Sequence, residues 1–135
     1  MLTLTLHTPN GTQKFDNIDE AVLPTQNGEI AVLPNHSPVM TELSNGTIEI
    51  KLGKSIHRFV SFDGFAQITG TDINIFSAGV EEADNLNEAE IKKAIERAQA
   101  TMEESREEAD VSAIAVNLER EMAKLKTIKR HRRQL

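Results

Sequence analysis

Chemistry needs side chains that can ligate, attack or shuttle protons, and this chain offers few of them in useful patterns. Its four histidines, His7, His36, His57 and His131, lie far apart. No two share the three- or four-residue spacing that sets ligands on one helical face, so no metal site is expected. Cysteine is absent, which removes disulfides, thiolate nucleophiles and cysteine zinc sites. A Ser, His and Asp triad is compatible with the composition, yet the G-x-S-x-G elbow that would present a serine does not occur. Neither G-x-G-x-x-G nor G-x-x-x-x-G-K-S/T is present, so the backbone cradle that usually holds nucleotide phosphates is missing. No cofactor is expected. The residues point to a binding module.

Two segments remain as candidate recognition sites. Residues 28–38, GEIAVLPNHSP, hold two prolines, Asn35 and His36 between apolar runs. Proline fixes φ and asparagine tolerates turn conformations, so the stretch should form a stiff loop presenting His36 and Glu29. An ordinary corner of the fold would explain the same residues. The other segment is the basic end, Lys124, Lys126, Lys129, Arg130, Arg132 and Arg133. These cations suit an acidic partner. Equally, cations at a helix C-terminus complement its dipole and keep a tail solvated. Anionic lipid fits less well, because the apolar stripe beside them lacks large interfacial aromatics.

Such segments need a scaffold, and composition bounds it. A chain of 135 residues is long enough for one domain with its own core, or for a small domain with an appendage. Apolar residues at 39% are too many for a disordered chain. No apolar run approaches a membrane span, and the opening MLTLTLHTPNG has neither a basic start nor a long apolar stretch, so no secretion signal is expected. With no Trp or Tyr and a net charge of -6, base stacking and phosphate attraction are both poorly served, and nucleic acid is not an expected partner. The charge is uneven: net -4 over residues 1–80, -7 over 81–110 and +5 over 111–135. That shift marks segments facing different surroundings and places a boundary near residues 77–85, giving domains 1–84 and 85–135.

The first part reads as β. Leu2, Leu4 and Leu6 alternate with Thr3, Thr5 and His7 before a Pro9-Asn10-Gly11 turn. Ile48, Ile50 and Leu52 alternate again. Gly53-Lys54 and Gly70-Thr71 are two-residue links of the kind that close tight hairpins, the second joining FAQIT to DINIF. Turn signals at short intervals suggest a sandwich or barrel. The second part reads as helix. Asn87 can cap a helix with Glu90 three residues on, while Leu86 and Ile91 sit where a hydrophobic staple would close. Ile91, Ala94, Ile95, Ala98 and Met102 draw one apolar stripe. Asp110 can cap a second helix after a short Ala109-Asp110 link, with Ile114, Leu118, Met122 and Leu125 as its stripe. Stripes this lean in large side chains leave each helix marginal without a neighbour, so a movable hairpin is expected.

The run GEIAVLPNHSPVMTEL, then FVSFDGFAQITGTDINIFSAGVEEAD, then two helices with a basic tail, closely resembles the epsilon subunit of bacterial and chloroplast F-type ATP synthases. The likeness covers essentially the whole chain; residues 28–43 and the Gly64-Phe65-x-x-Ile68 segment with its following strand are its most specific parts. It implies an N-terminal β-sandwich of about ten strands followed by a C-terminal antiparallel two-helix hairpin. It also implies a non-catalytic component of the central stalk of the proton-translocating enzyme, helping to couple ring rotation to ATP synthesis. The sandwich would bind the gamma subunit and the c-subunit ring. Glu29 and His36 match the loop that faces the ring, and the resemblance gives each a contact role. In many bacterial relatives the hairpin opens and pushes its second helix between gamma and the alpha and beta subunits, blocking ATP hydrolysis. The six tail cations suit such an inhibitory task. The implied location is peripheral, on the cytoplasmic face of the cell membrane, held through the complex and not by lipid.

One family feature does not carry over. Some bacterial relatives bind ATP through an I/L-D-x-x-R-A motif opening the first helix, and Leu86-Asn87-Glu88-Ala89-Glu90-Ile91 keeps its first residue only. Glu81 and Arg97 match flanking positions. Glu90 in place of the motif's cation would set a carboxylate beside phosphate oxygens, a repulsion of about 1 kcal/mol or more even in high dielectric. No nucleotide site is expected. Two other readings of the residues stay open: a free-standing β-sandwich adaptor with a helical interaction arm, and a small hydrolase hidden in the sandwich, which would need a nucleophile and base within hydrogen-bond reach.

Overall fold

A computed structural model describes residues 1–104 and 108–133, the side chains of residues 108–110 excepted. Eight strands come first: β1 Leu2–Thr8, β2 Gly11–Ile18, β3 Glu20–Thr25, β4 Gly28–Val32, β5 His36–Leu43, β6 Gly46–Leu52, β7 Ser55–Gly70 and β8 Asp72–Glu82. A single 3-10 turn, Ala83–Asn85, leads to helices α1, Glu88–Glu104, and α2, Glu108–Arg133. The strands make one hydrogen-bonded sheet in the order β2-β1-β8-β7-β5-β3-β4, with β6 bridging β3 and β7.

The sheet folds over because β7 changes neighbour part-way. Its residues from Ser55 to Ser61 pair with β6, and those from Gly64 to Gly70 pair with β5. The changeover falls at Asp63, whose φ of 45° is left-handed, and at Gly64. A Cβ on Gly64 would stand 2.1 Å from the Phe76 carbonyl oxygen, so β7 and β8 can approach there only through glycine. Ser77 stitches the same bend, its hydroxyl donating to the Phe62 carbonyl at 2.8 Å. Both β7 and β8 run unbroken through the bend, so the expected count of about ten strands becomes eight longer ones among the described residues. β1 pairs in parallel with β8, from Thr3 against Asp72 to His7 against Phe76.

Alternation sorts side chains to the inside. Leu2, Leu4 and Leu6 enter the core with Leu23, Ile50, Phe59, Ile68, Ile73 and Ile75, as a period of two requires on a half-buried strand. β6 and the first half of β7 depart from that pattern. Thr47 to Ile50 and Arg58 to Phe62 are buried continuously, because α2 covers their outer face.

The helices start and pack as their sequences direct, with two exceptions. The Glu90 amide donates to the Asn87 side-chain oxygen at 3.2 Å, the expected cap. Ile91 and Ala98 are buried, and Ala94, Ile95 and Met102 are half-buried. Arg132 near the end of α2 pairs with Glu88 at the start of α1, so the helices run antiparallel. Met122, however, is 46% exposed. The buried line on α2 is instead Ala123, Thr127, Ile128 and His131. Hydrophobic periodicity missed it because half of that line is polar. The second exception is Asp110, which lies two residues inside α2 and does not cap it; its side chain and the link at residues 105–107 fall outside the described residues.

Candidate interaction site between hairpin and sandwich

One face of α2 meets the sandwich along Ala123, Thr127 and His131, four residues apart, with Ile128 beside them three residues before His131. Ala123 packs with Val60 and Phe62. Thr127 is 0% exposed, and its hydroxyl lies 2.7 Å from that of Thr47. Ile128 is the one large aliphatic side chain buried in this line, worth about 1.5 to 3 kcal/mol by area. Polar contacts therefore carry much of this interface.

Those contacts centre on two acids of the sandwich. The Arg58 and Glu49 side chains are only 2% and 5% exposed and pair at 3.0 Å. Arg130 reaches the same Glu49 oxygen with Nε at 3.0 Å and gives Nη1 to Glu29 at 2.6 Å. The hydrogen bond to Glu29, opposed by partial burial and supported by the Glu49 and Glu29 charges, holds the Arg130 guanidinium above its usual range. Arg58 Nη1 lies 3.1 Å from His131 Nδ1. Arginine can only donate, so Nδ1 accepts and Nε2 carries the proton that goes to Asp84 at 2.6 Å. Burying Arg58 and Glu49 is costly in itself; the added partners on each ion offset that cost. At the other end of the contact, Arg120 and Lys124 lie over the Phe62 ring, 5.5 and 5.9 Å from its centroid. Arg120 also pairs with Asp63 at 2.7 Å.

The candidate residues read from the sequence divide accordingly. Lys124 pairs with Glu81 and Glu121, Arg130 with Glu29 and Glu49, and Arg132 with Glu88. Lys126, Lys129 and Arg133 are exposed and pair with no acid among the described residues. Glu29 does not sit on a loop: it lies in β4, opposite Pro24. The loop shrinks to residues 33–35, where Asn35 takes a positive φ of 66°, and His36 opens β5 with Nδ1 2.7 Å from the Ser37 carbonyl. Glu49 and Arg58 are the functional candidates that sequence reading misses. A Glu and an Arg at facing positions of a hairpin are a visible signal, but their burial depends on a helix some 70 residues away.

A cleft of about 800 Å³ opens between α1 and the sandwich, lined by Glu81, Leu86, Glu90, Arg97 and Lys124 among others. It is the stretch compared above with a nucleotide site. Four carboxylates, Glu81, Glu82, Glu90 and Glu121, face three cations, Lys93, Arg97 and Lys124, and Lys124 is already held by two of the acids. Among the described residues no group of three or more His, Asp or Glu could hold a metal ion.

Residues 1–83 match the family described as ATP synthase, Delta/Epsilon chain, beta-sandwich domain. The chain belongs to this family. An ATP synthase epsilon chain from chloroplasts of Huperzia lucidula is 32% identical over 123 residues, 91% of this chain and 88% of the relative. The ATP synthase epsilon chain of Syntrophobacter fumaroxidans is 27% identical over 125 residues, 93% of each chain. Among solved structures, a chain of the Euglena gracilis mitochondrial ATP synthase superposes with a TM-score of 0.82 at 22% identity, covering 90% of this chain and 78% of that one. As an epsilon-family chain it is a subunit of an ATP synthase, a membrane-associated complex. No described helix is long and apolar enough to cross a membrane.

Proposed function

We propose that this chain is the non-catalytic epsilon subunit at the foot of the central stalk of a proton-translocating F-type ATP synthase, attached to the cytoplasmic face of the membrane through the complex. The sandwich, residues 1–84, grips the gamma subunit and the c-subunit ring, with Glu29 and His36 on the ring side. The hairpin, residues 85–135, is a regulatory arm whose second helix reaches the alpha and beta subunits when lifted. The reading rests on family membership and on one observation: α2 meets the sandwich through hydrogen bonds and ion pairs around one buried large aliphatic side chain, Ile128. A contact of that kind can be exchanged for another at modest cost, whereas a large apolar interface cannot.

The cations that hold the arm down suit an acidic cavity equally well, so docked and lifted states compete for one set of charges. The cleft beside α1, richer in acids than bases, supports the absence of a nucleotide latch, and micromolar ATP affinity by calorimetry would overturn that part. The deciding experiment compares ATP hydrolysis by the whole complex with and without residues 87–135. Faster hydrolysis on deletion supports a regulatory arm; no change removes it. Co-purification with gamma and with membranes is expected, and its failure would favour a free-standing adaptor.

A further inference from the structure

Glu29, on the strand that ends the sheet order, also holds the arm. β4 has β3 on one side and no strand on the other, and the Glu29 side chain is 46% exposed there. Its Oε2 nevertheless accepts from Arg130 at 2.6 Å. Behind this pair the chemistry is closed: Glu49 already takes Arg58 and Arg130 on one oxygen, and neither Arg58 nor Glu49 is open to solvent. Glu29 and Arg130 are thus the outermost link of the docking network. They form the link that a neighbouring subunit can reach first.

We propose that Glu29 is an exchangeable acceptor, for which Arg130 of the arm and a basic side chain on the polar loops of the c-subunit ring compete. This rests on the reading above that the β4 side of the sandwich faces the ring. While Arg130 is bound, the Glu29 charge is neutralised and attracts a ring cation weakly. When the arm lifts, the carboxylate is restored to the docking face. Linkage makes the effect reciprocal: whatever factor ring docking applies to arm release, arm release applies to ring docking. For a pair this exposed, the factor should lie near the lower end of the usual coupling range, about fivefold. Seating on the ring would then prime the arm for its inhibitory position.

The test uses the full chain and a purified gamma and c-ring subcomplex, which lacks the alpha and beta subunits and so isolates this exchange. Because the chain has no cysteine, cysteines placed at the exposed positions Lys54 and Ser112 accept one spin-label pair that reports arm position. The expected results are a lifted fraction that rises about fivefold on the subcomplex, and Arg130→Gln binding it tighter by the same factor. Glu29→Gln should bind more weakly, lift more readily in isolation and show no further rise on binding. If Glu29→Gln binds as well as the unsubstituted chain, Glu29 is not a ring contact and the underlying reading fails with the inference. If Glu29→Gln binds weakly but Arg130→Gln binds normally, or the lifted fraction ignores the subcomplex, the contact stands and the exchange is overturned.

Discussion

Thr47 of β6 and Thr127 of α2 meet hydroxyl to hydroxyl at 2.7 Å across 80 residues of sequence, with both side chains buried. Each hydroxyl has left water to find the other. Thr127→Val keeps the shape but strands the Thr47 hydroxyl, at a cost of about 1 to 3 kcal/mol to docking. Amide hydrogen exchange along α2 should quicken accordingly. The Thr47→Val, Thr127→Val pair should recover most of the loss, since no polar group is then left unsatisfied. A double variant as labile as the single one would assign the cost to packing.

The six tail cations should separate into two functional groups. Lys126, Lys129 and Arg133 have no acid partner among the described residues, so neutralising them to Gln should weaken the proposed inhibition of hydrolysis while leaving exchange along α2 unchanged. Neutralising Lys124, Arg130 and Arg132 removes ion pairs to Glu81, Glu29, Glu49 and Glu88, so it should loosen the docked arm as well. Equal effects of the two triple variants on exchange would contradict this division.

Salt, and not alkali, should release the Arg130 contact. Its guanidinium is held above the usual range, so the stabilisation it brings is complete below its free value and is lost only as pH climbs through the higher docked value. Both lie far above neutrality, and the contribution of Arg130 should be flat from about pH 6 to 10. Raising ionic strength from about 0.1 M to about 1 M cuts the screening length from about 10 Å to about 3 Å. The labelled chain should then show a larger lifted fraction, and Arg130→Gln should respond less.

Gly64→Ala should damage the sandwich itself. The added methyl would lie 2.1 Å from the Phe76 carbonyl oxygen, so β7 and β8 must part at the bend, at a cost of about 3 kcal/mol. Gly79→Ala is the control: its Cβ meets the nearest atom, on the Phe62 ring, at 3.9 Å, and thermal melting should shift little. Similar melting of both variants would remove the role given to the bend.

Local signals made much of this fold legible. The leucine alternation of β1, the Gly53-Lys54 and Gly70-Thr71 turns and the Asn87 cap each depend on residues within a few positions of one another. What escaped depends on distant neighbours. Glu49 and Arg58 look like ordinary surface residues of a hairpin until α2 covers them. Met122 fits an apolar stripe by spacing, yet the face that docks is chosen by Thr127 and His131, which find partners on β6, β7 and the turn at Ala83–Asn85. The partnership of Glu29 with Arg130 spans 101 residues and has no local trace.

The parallel pairing of β1 with β8 sets an order on biosynthesis. β1 must wait for residues 72–76 to be made before its inner neighbour exists, so the sandwich closes late, and the arm, translated after it, arrives at a platform already built. A nascent chain interrupted before β8 would leave the inner edge of β1 unpaired and the core without Ile73 and Ile75, a form suited to capture by chaperones and unsuited to assembly.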